Sequence, residues 1–151
     1  MQGMGTNIFH CGKAGQGEVV KLVNNLCLGI EMIGVSEGLA MGEKLGIDPK
    51  VLSDIVSVST GQCRSLTYYN PRPGLNENAR SSHNYEGGFA ASLIKKDLSL
   101  AIEAANQNGV LCEFSQKAAD YFSDIERKGA GNKDFSYVFQ YIYNNKTISK
   151  P

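Results

Sequence analysis

Apolar residues recur every three to four positions along most of this chain, the spacing of a helix face. Over residues 15–45, Leu22, Leu26, Ile30 and Ile33 fall on one face, with Val19, Val23, Cys27 and Gly34 beside them. Apolar positions cover most of the circumference, which predicts a long helix in the middle of a bundle. Gly46 supplies its C-terminal cap. Asp48 as N-cap and Pro49 at the first helical position predict a second, short helix to about Ser59, stopped by Thr60-Gly61. The pattern is lost from 66 to 89, a stretch with two prolines, three tyrosines and Gly87-Gly88. A loop this long inside a compact domain tends to be functional. Ser81-Ser82-His83-Asn84-Tyr85 within it is polar and aromatic, as a wall over a site would be.

Periodicity returns over 91–108, with Leu93, Leu100, Ala101 and Ala104 as the expected apolar stripe and Asn108-Gly109 as the stop. Further helices are predicted over 113–128, ending at Gly129, and over 135–143, carrying Phe135, Val138, Phe139 and Ile142. Before the first helix, Asn7-Ile8-Phe9-His10-Cys11-Gly12 reads as one strand and a turn. The expected fold class is all-α: a helical bundle around one long central helix, with a short N-terminal strand. The abrupt start and the partnerless strand predict a fragment. Residues 1–13 would be strand and linker left from an upstream domain, 14–143 a helical domain, and 144–151 a polar, frayed tail.

The 151 residues fit one domain. Lysine and arginine total 15, as do aspartate and glutamate, so the chain is neutral and gives no reason to expect a nucleic-acid or anionic-membrane partner. The most apolar stretch, 22–41, is interrupted by Asn24, Asn25, Glu31, Ser36 and Glu37, so it reads as a buried helix and not a membrane span. Met1-Gln2-Gly3-Met4-Gly5 shows no signal-peptide character. Cys11, Cys27, Cys63 and Cys112 form no Cys-x-x-Cys pair and are expected as buried free thiols. No metal site is expected, since His10 and His83 lack ligand spacing.

Candidate chemistry concentrates at the start of the first helix. Lys21 and Asn25 sit one turn apart on one face, with Gly17 a turn before and Gly29 a turn after. That stripe offers a cation and an amide flanked by positions with room for a small polar ligand. The glycine-rich turn also points free N–H groups at an anion. Desolvation by Val20, Leu22 and Val23 would lower the Lys21 pKa and suit it to proton transfer. The competing reading is a lysine snorkelling to water. Asn25 either offers its amide to a carboxylate or hydroxyl, or is a core asparagine bonded to a neighbouring helix; Asn24 could serve either role. Asp97 falls on the apolar stripe of the 91–108 helix and needs a partner. Lys96 lies on its margin and Lys95 on the solvated side, although the trio also fits a solvated turn. Gly15-x-Gly17 lacks the third glycine and the strand–helix–strand setting of a dinucleotide loop.

Gly15, Gly17, Lys21 and Asn25 match the pattern Gly-x-Gly-x-x-x-Lys-x-x-x-Asn, and Lys96-Asp97-Leu98 matches a later Lys-Asp-Leu. With these, the chain resembles the C-terminal helical domain of the β-hydroxyacid dehydrogenases, a fold like that of the 6-phosphogluconate dehydrogenase C-terminal domain. Tyr69-Asn70-Pro71-Arg72-Pro73-Gly74, Asn84-Tyr85-Glu86-Gly87-Gly88-Phe89 and Lys133-Asp134-Phe135-Ser136 resemble the hydroxyisobutyrate branch of that family. The resemblance implies an upstream Rossmann domain that binds NAD, with NADP the lesser alternative. It implies Lys21 as the proton-transfer residue, Asn25, Asn24, Gly17 and Phe89 around a small 3-hydroxy acid, and Lys96 with Asp97 at the cofactor. It further implies oxidation of 3-hydroxyisobutyrate to methylmalonate semialdehyde in valine breakdown, and a homodimer or higher homo-oligomer formed along the first helix. The location would be the mitochondrial matrix in a eukaryote or the cytoplasm in a bacterium. The alternatives are a helical dimerisation module without catalysis, or a reductase of glyoxylate, succinic semialdehyde or tartronate semialdehyde.

Overall fold

A computed structural model describes residues 6–144. In chain order it forms α1 (Gln16–Lys44), α2 (Pro49–Ser57), α3 (Arg64–Thr67), α4 (Ala91–Gln107), α5 (Glu113–Ile125) and α6 (Val138–Asn144). Single 3₁₀ turns lie at Arg80–His83 and Phe135–Tyr137, and one π turn at Glu126–Ala130 extends α5. The fold is all-α, as the periodicity predicts. Of the predicted tail 144–151, Asn144 is the last residue of α6, and 145–151 lie outside the described residues.

No strand forms among the described residues. The segment predicted as a strand, 7–11, runs as exposed irregular chain. Its N–H and C=O groups have no neighbouring strand to pair with, and a lone strand without a ladder leaves those groups to water.

Local chemistry sets the helix ends. Gly15 caps α1 in the left-handed region at φ 90°. At the other end Ile47 N–H donates to Gly42 O and Gly46 N–H to Glu43 O, both at 3.0 Å. This is the paired turn that a glycine in the left-handed region permits. Asp48 Oδ1 accepts from Lys50 N and Val51 N at 2.9 and 3.0 Å, a cap contributing about 1 kcal/mol.

From Gly29 onward α1 is the axis of the bundle, packing on α4, α5 and α6. Met32, Ile94, Leu98, Phe122, Ile125, Phe135 and Val138 form the main core. Leu39, Ala40, Leu66 and Phe139 form a smaller one beside it. Gly29 lies under Leu98, where an added Cβ would sit 3.1 Å from both Leu98 methyls. Gly29 is therefore a helix-contact residue, not the ligand opening its place on the stripe suggested.

The expected central burial of α1 does not extend to its first turns. Residues 16–21 are all exposed, and Val19, Val20 and Val23 are each at least half exposed. No other element of the described chain reaches that end of the helix. α1 is long and apolar enough to cross a membrane by length and composition alone. Its C-terminal half, however, buries Met32, Ser36, Leu39 and Ala40 against the other helices.

Two further expectations are corrected. The buried face of α4 carries Ala91, Ile94, Asp97, Leu98 and Ala101, whereas Leu93 and Leu100 are exposed. Leucines occupy two faces of this helix, and contact with α1 and α5 selects the other one. The cysteines are not buried: Cys11 and Cys27 are exposed, and Cys63 and Cys112 half-buried. Cys27 projects from the side of α1 that nothing covers.

Candidate active site

α1 and α4 meet where the candidate residues lie. Asn25 Nδ2 donates to Asp97 Oδ2 at 2.6 Å. Lys96 Nζ stands 3.0 Å from Asp97 Oδ1, and Asn24 Nδ2 donates to Asn25 Oδ1 at 3.1 Å. Asp97 itself is only 4% exposed. A buried carboxylate is tolerated when its oxygens are bonded, and here each has a partner. Burial pushes the Asp97 carboxyl up, but the bonds from Lys96 and Asn25 and the charges of Lys96 and Lys21 outweigh it and leave it below its ordinary value. The aspartate expected at the cofactor thus lies beneath the surface, with Lys96 above it and 58% of the Lys96 side chain in water.

Lys21 is one turn from Asn25 on the same face. Its side chain is 54% exposed, and its ammonium stands 3.5 Å from Glu18 Oε1. The expected desolvation is not present, because Val20 and Val23 are themselves exposed. Gly17 is open, with nothing within 4 Å of an added Cβ. The structure joins the two constellations read from the sequence: Asn24, Asn25, Asp97 and Lys96 form one bonded run, with Lys21 one turn before Asn25 on α1. Of the two readings left open for Asn25, a bond to a neighbouring helix is realised, and one amide N–H remains for another acceptor.

Two cavities run alongside this group. One, of about 450 Å³, is bordered by Asn24, Cys27, Leu28, Glu31, Arg64 and Tyr69. The next, of about 430 Å³, shares Leu28 and Tyr69 with it and adds Phe89 and Phe135. Phe89, the remaining candidate, thus borders a cavity that shares the wall residues Leu28 and Tyr69 with the one at Asn24.

The long loop is more ordered than its sequence predicts. Ser81 Oγ donates to Asn70 O at 2.6 Å, and the buried Tyr85 hydroxyl to Pro71 O at 3.0 Å. Burial pushes the Tyr85 hydroxyl up to about 12. Ser81 and Tyr85 therefore pack the loop against itself, while Tyr68, Tyr69 and Phe89 border the cavity beside Leu28. Arg72 straps the loop to α1 through two 2.9 Å bonds to Glu43, one to each carboxylate oxygen. Nothing in the residue pattern pointed to that pair, 29 residues apart. The pattern also gave no role to Asp134, which accepts from Phe89 N at 2.9 Å; an Asp two residues before a serine was the available signal.

The group offers a mobile cation, a second cation over a buried carboxylate, and a fixed amide. That set can bind an anionic ligand and exchange one proton. A nicotinamide cofactor fits it at one margin only. Lys96 would meet it as an exposed cation, while the described residues contain no strand–turn–helix cradle for its pyrophosphate.

Known proteins place this arrangement. Residues 15–142 match the family model described as NAD-binding of NADP-dependent 3-hydroxyisobutyrate dehydrogenase. The chain is 43% identical to a probable mitochondrial 3-hydroxyisobutyrate dehydrogenase of Dictyostelium discoideum, over 94% of this chain and 44% of the relative. It is 40% identical to the mitochondrial 3-hydroxyisobutyrate dehydrogenase of Homo sapiens, over 96% of this chain and 43% of the relative. Among solved structures, a Mycobacterium tuberculosis 3-hydroxyisobutyrate dehydrogenase with L-serine superposes with TM-score 0.87 at 31% identity, covering 92% of this chain and 47% of that one. The chain thus spans less than half the length of the relatives it matches. With the family model covering residues 15–142, the chain belongs to the 3-hydroxyisobutyrate dehydrogenase family.

Proposed function

We propose that this chain is the helical, substrate-side domain of a dehydrogenase that oxidises 3-hydroxyisobutyrate to methylmalonate semialdehyde in valine breakdown. NAD is the favoured cofactor and NADP the alternative, held mainly by an upstream Rossmann domain. The observation that carries this reading is the bonded run Asn24–Asn25–Asp97–Lys96 beside Lys21.

In this reading Lys21, as the free amine, takes the substrate hydroxyl proton. The bound nicotinamide supplies the hydride acceptor. Asn25, its amide fixed by Asp97, donates its remaining N–H to the substrate. Asn24 and Gly17 border the same space, and Lys96 holds the cofactor margin. Asp97 acts through Asn25 and Lys96 and touches neither ligand.

The exposed Val19, Val20 and Val23 support association along α1 in a homodimer or higher oligomer. Relatives named as mitochondrial support the matrix as its location in a eukaryote.

The test is NADH production from 3-hydroxyisobutyrate by the full-length protein, with and without Lys21→Ala. Turnover in the parent that falls by about three orders of magnitude in the folded variant is the expected result. No turnover in either form would leave a helical dimerisation module. A preference for glyoxylate, succinic semialdehyde or tartronate semialdehyde would keep Lys21 and change the substrate.

A further inference from the structure

Asp134 is 3% exposed and forms no ion pair among the described residues. A carboxylate buried without a cation persists only when donors fill its oxygens. Here Oδ2 accepts from Phe89 N at 2.9 Å, and Oδ1 from Ser136 N at 3.1 Å and Ser136 Oγ at 2.5 Å. All three groups donate, so an acceptor-only side chain satisfies them, whereas an asparagine would turn its own NH₂ toward one of them. The backbone closes the same seam. Asp134 N donates to Tyr85 O at 2.8 Å, Phe135 N to Phe89 O at 2.7 Å and Ala91 N to Lys133 O at 2.8 Å.

Gly88 completes the clamp. Its φ is 73°, and an added Cβ would stand 2.2 Å from Asp134 Oδ2, so the chain must be glycine there to reach the carboxylate. The next residue, Phe89, is thereby held by its N–H on one side of its Cα and its carbonyl on the other. Its ring lies 5.8 Å from that of Phe135. It borders the cavity whose walls Leu28 and Tyr69 also wall the cavity at Asn24.

We propose that Asp134 is a positioning residue: by clamping the Phe89 backbone against Gly88, it fixes the Phe89 ring as the wall that limits the size of the 3-hydroxy acid admitted. The proposal rests on the dehydrogenase reading. It assigns size selection to a carboxylate whose oxygens are taken up by Phe89 and Ser136 and which lies 113 residues along the chain from Lys21. A wall set by backbone bonds holds its place where a free loop would yield to a larger ligand.

The test uses the full-length protein with a graded series: 3-hydroxypropionate, 3-hydroxyisobutyrate and 2-(hydroxymethyl)butanoate. A single methylene in a fixed pocket is commonly discriminated by about tenfold or more. Asp134→Asn is expected to raise KM for 3-hydroxyisobutyrate while kcat stays within a few-fold, and to reduce discrimination against the largest acid about tenfold. Phe89→Leu, which leaves the clamp intact, is expected to relax discrimination in the same direction and keeps the wall testable should Asp134→Asn not fold. A merely structural role for Asp134 would lower the fraction of active enzyme and leave KM and the substrate ratio alone. An active wild type whose size selectivity survives either substitution overturns the proposal. A wild type inactive on all three acids overturns the dehydrogenase reading itself.

Discussion

Asn25 and Asp97, 72 residues apart in sequence, are joined by a 2.6 Å hydrogen bond across the contact of α1 with α4. The bond fixes which way the amide faces, because a carboxylate accepts and cannot donate. Asn24, donating to the other end of that amide, agrees with the assignment.

Asp97→Asn should therefore weaken the site while sparing its shape. Bonds to a charged group contribute about 1.5–3 kcal/mol, so kcat/KM in the full-length protein should fall about 10–100-fold. Lys96 also loses its ion pair, so part of the loss should appear as a raised KM for the cofactor. Steady-state kinetics with each substrate varied in turn checks this, and unchanged constants would remove Asp97 from the positioning role.

Acid should loosen the loop strap. The Arg72 bond holds the Glu43 carboxyl below its ordinary value, against the opposing effect of burial. A carboxylate depressed in the folded state contributes stability that is present above its unfolded pKa and lost as pH falls through the folded one. For Glu43 that loss begins near the unfolded value of 4.5 and deepens below it; Asp97, also depressed, adds to it from 3.8 downward. Urea melts between pH 7 and pH 3 should show the decline, and Glu43→Gln should flatten it while lowering stability at pH 7. An equal slope in the variant would exclude the strap as its source.

Ser36 is fully buried in the middle of α1, and its hydroxyl has no hydrogen-bond partner among the described residues. A buried polar group without a partner costs about 1–3 kcal/mol, and alanine is also the better helix former. Ser36→Ala should raise Tm by about 2–4 °C for a chain this size. Calorimetry decides it; a lowered Tm would mean that the hydroxyl is satisfied.

This chain alone should give negligible NADH from 3-hydroxyisobutyrate. The described residues offer a cofactor only the margin at Lys96, and Lys21 stands in water. Turnover by the isolated chain at a rate near that of the full-length protein would overturn the division of labour proposed above.

Much of this was readable in one dimension. The bounds of α1 and α4 followed from periodicity and from Gly46 and Gly109, and the Lys21–Asn25 face followed from helical spacing. The Asp97 partner did not, because periodicity gives a face and not the residue opposite. The buried side of α4 was misassigned because Leu93–Leu100 and Ile94–Leu98 are both good apolar pairs, and only tertiary contact separates them. Phe89 entered as a candidate by resemblance. Its clamp was hidden because Asp134 lies 45 residues away and reaches it through a backbone N–H, a group every non-proline residue has. Exposure of Cys27 was missed, and of the two readings of Lys21 the solvated one is realised, for a different reason: an apolar neighbourhood in sequence desolvates a side chain only where another element covers it.

The contact of Gly29 with Leu98 acts as a calliper. It lies one turn of α1 beyond Asn25 and one residue of α4 beyond Asp97, so the absence of a Cβ sets the gap that the amide–carboxylate bond must span. Widening that gap by the few tenths of an ångström an alanine would demand would stretch the bond without altering any residue that takes part in it. The Asn25–Asp97 geometry is thus open to substitutions deep in the bundle, and an alanine at a featureless glycine belongs among the changes that shift it.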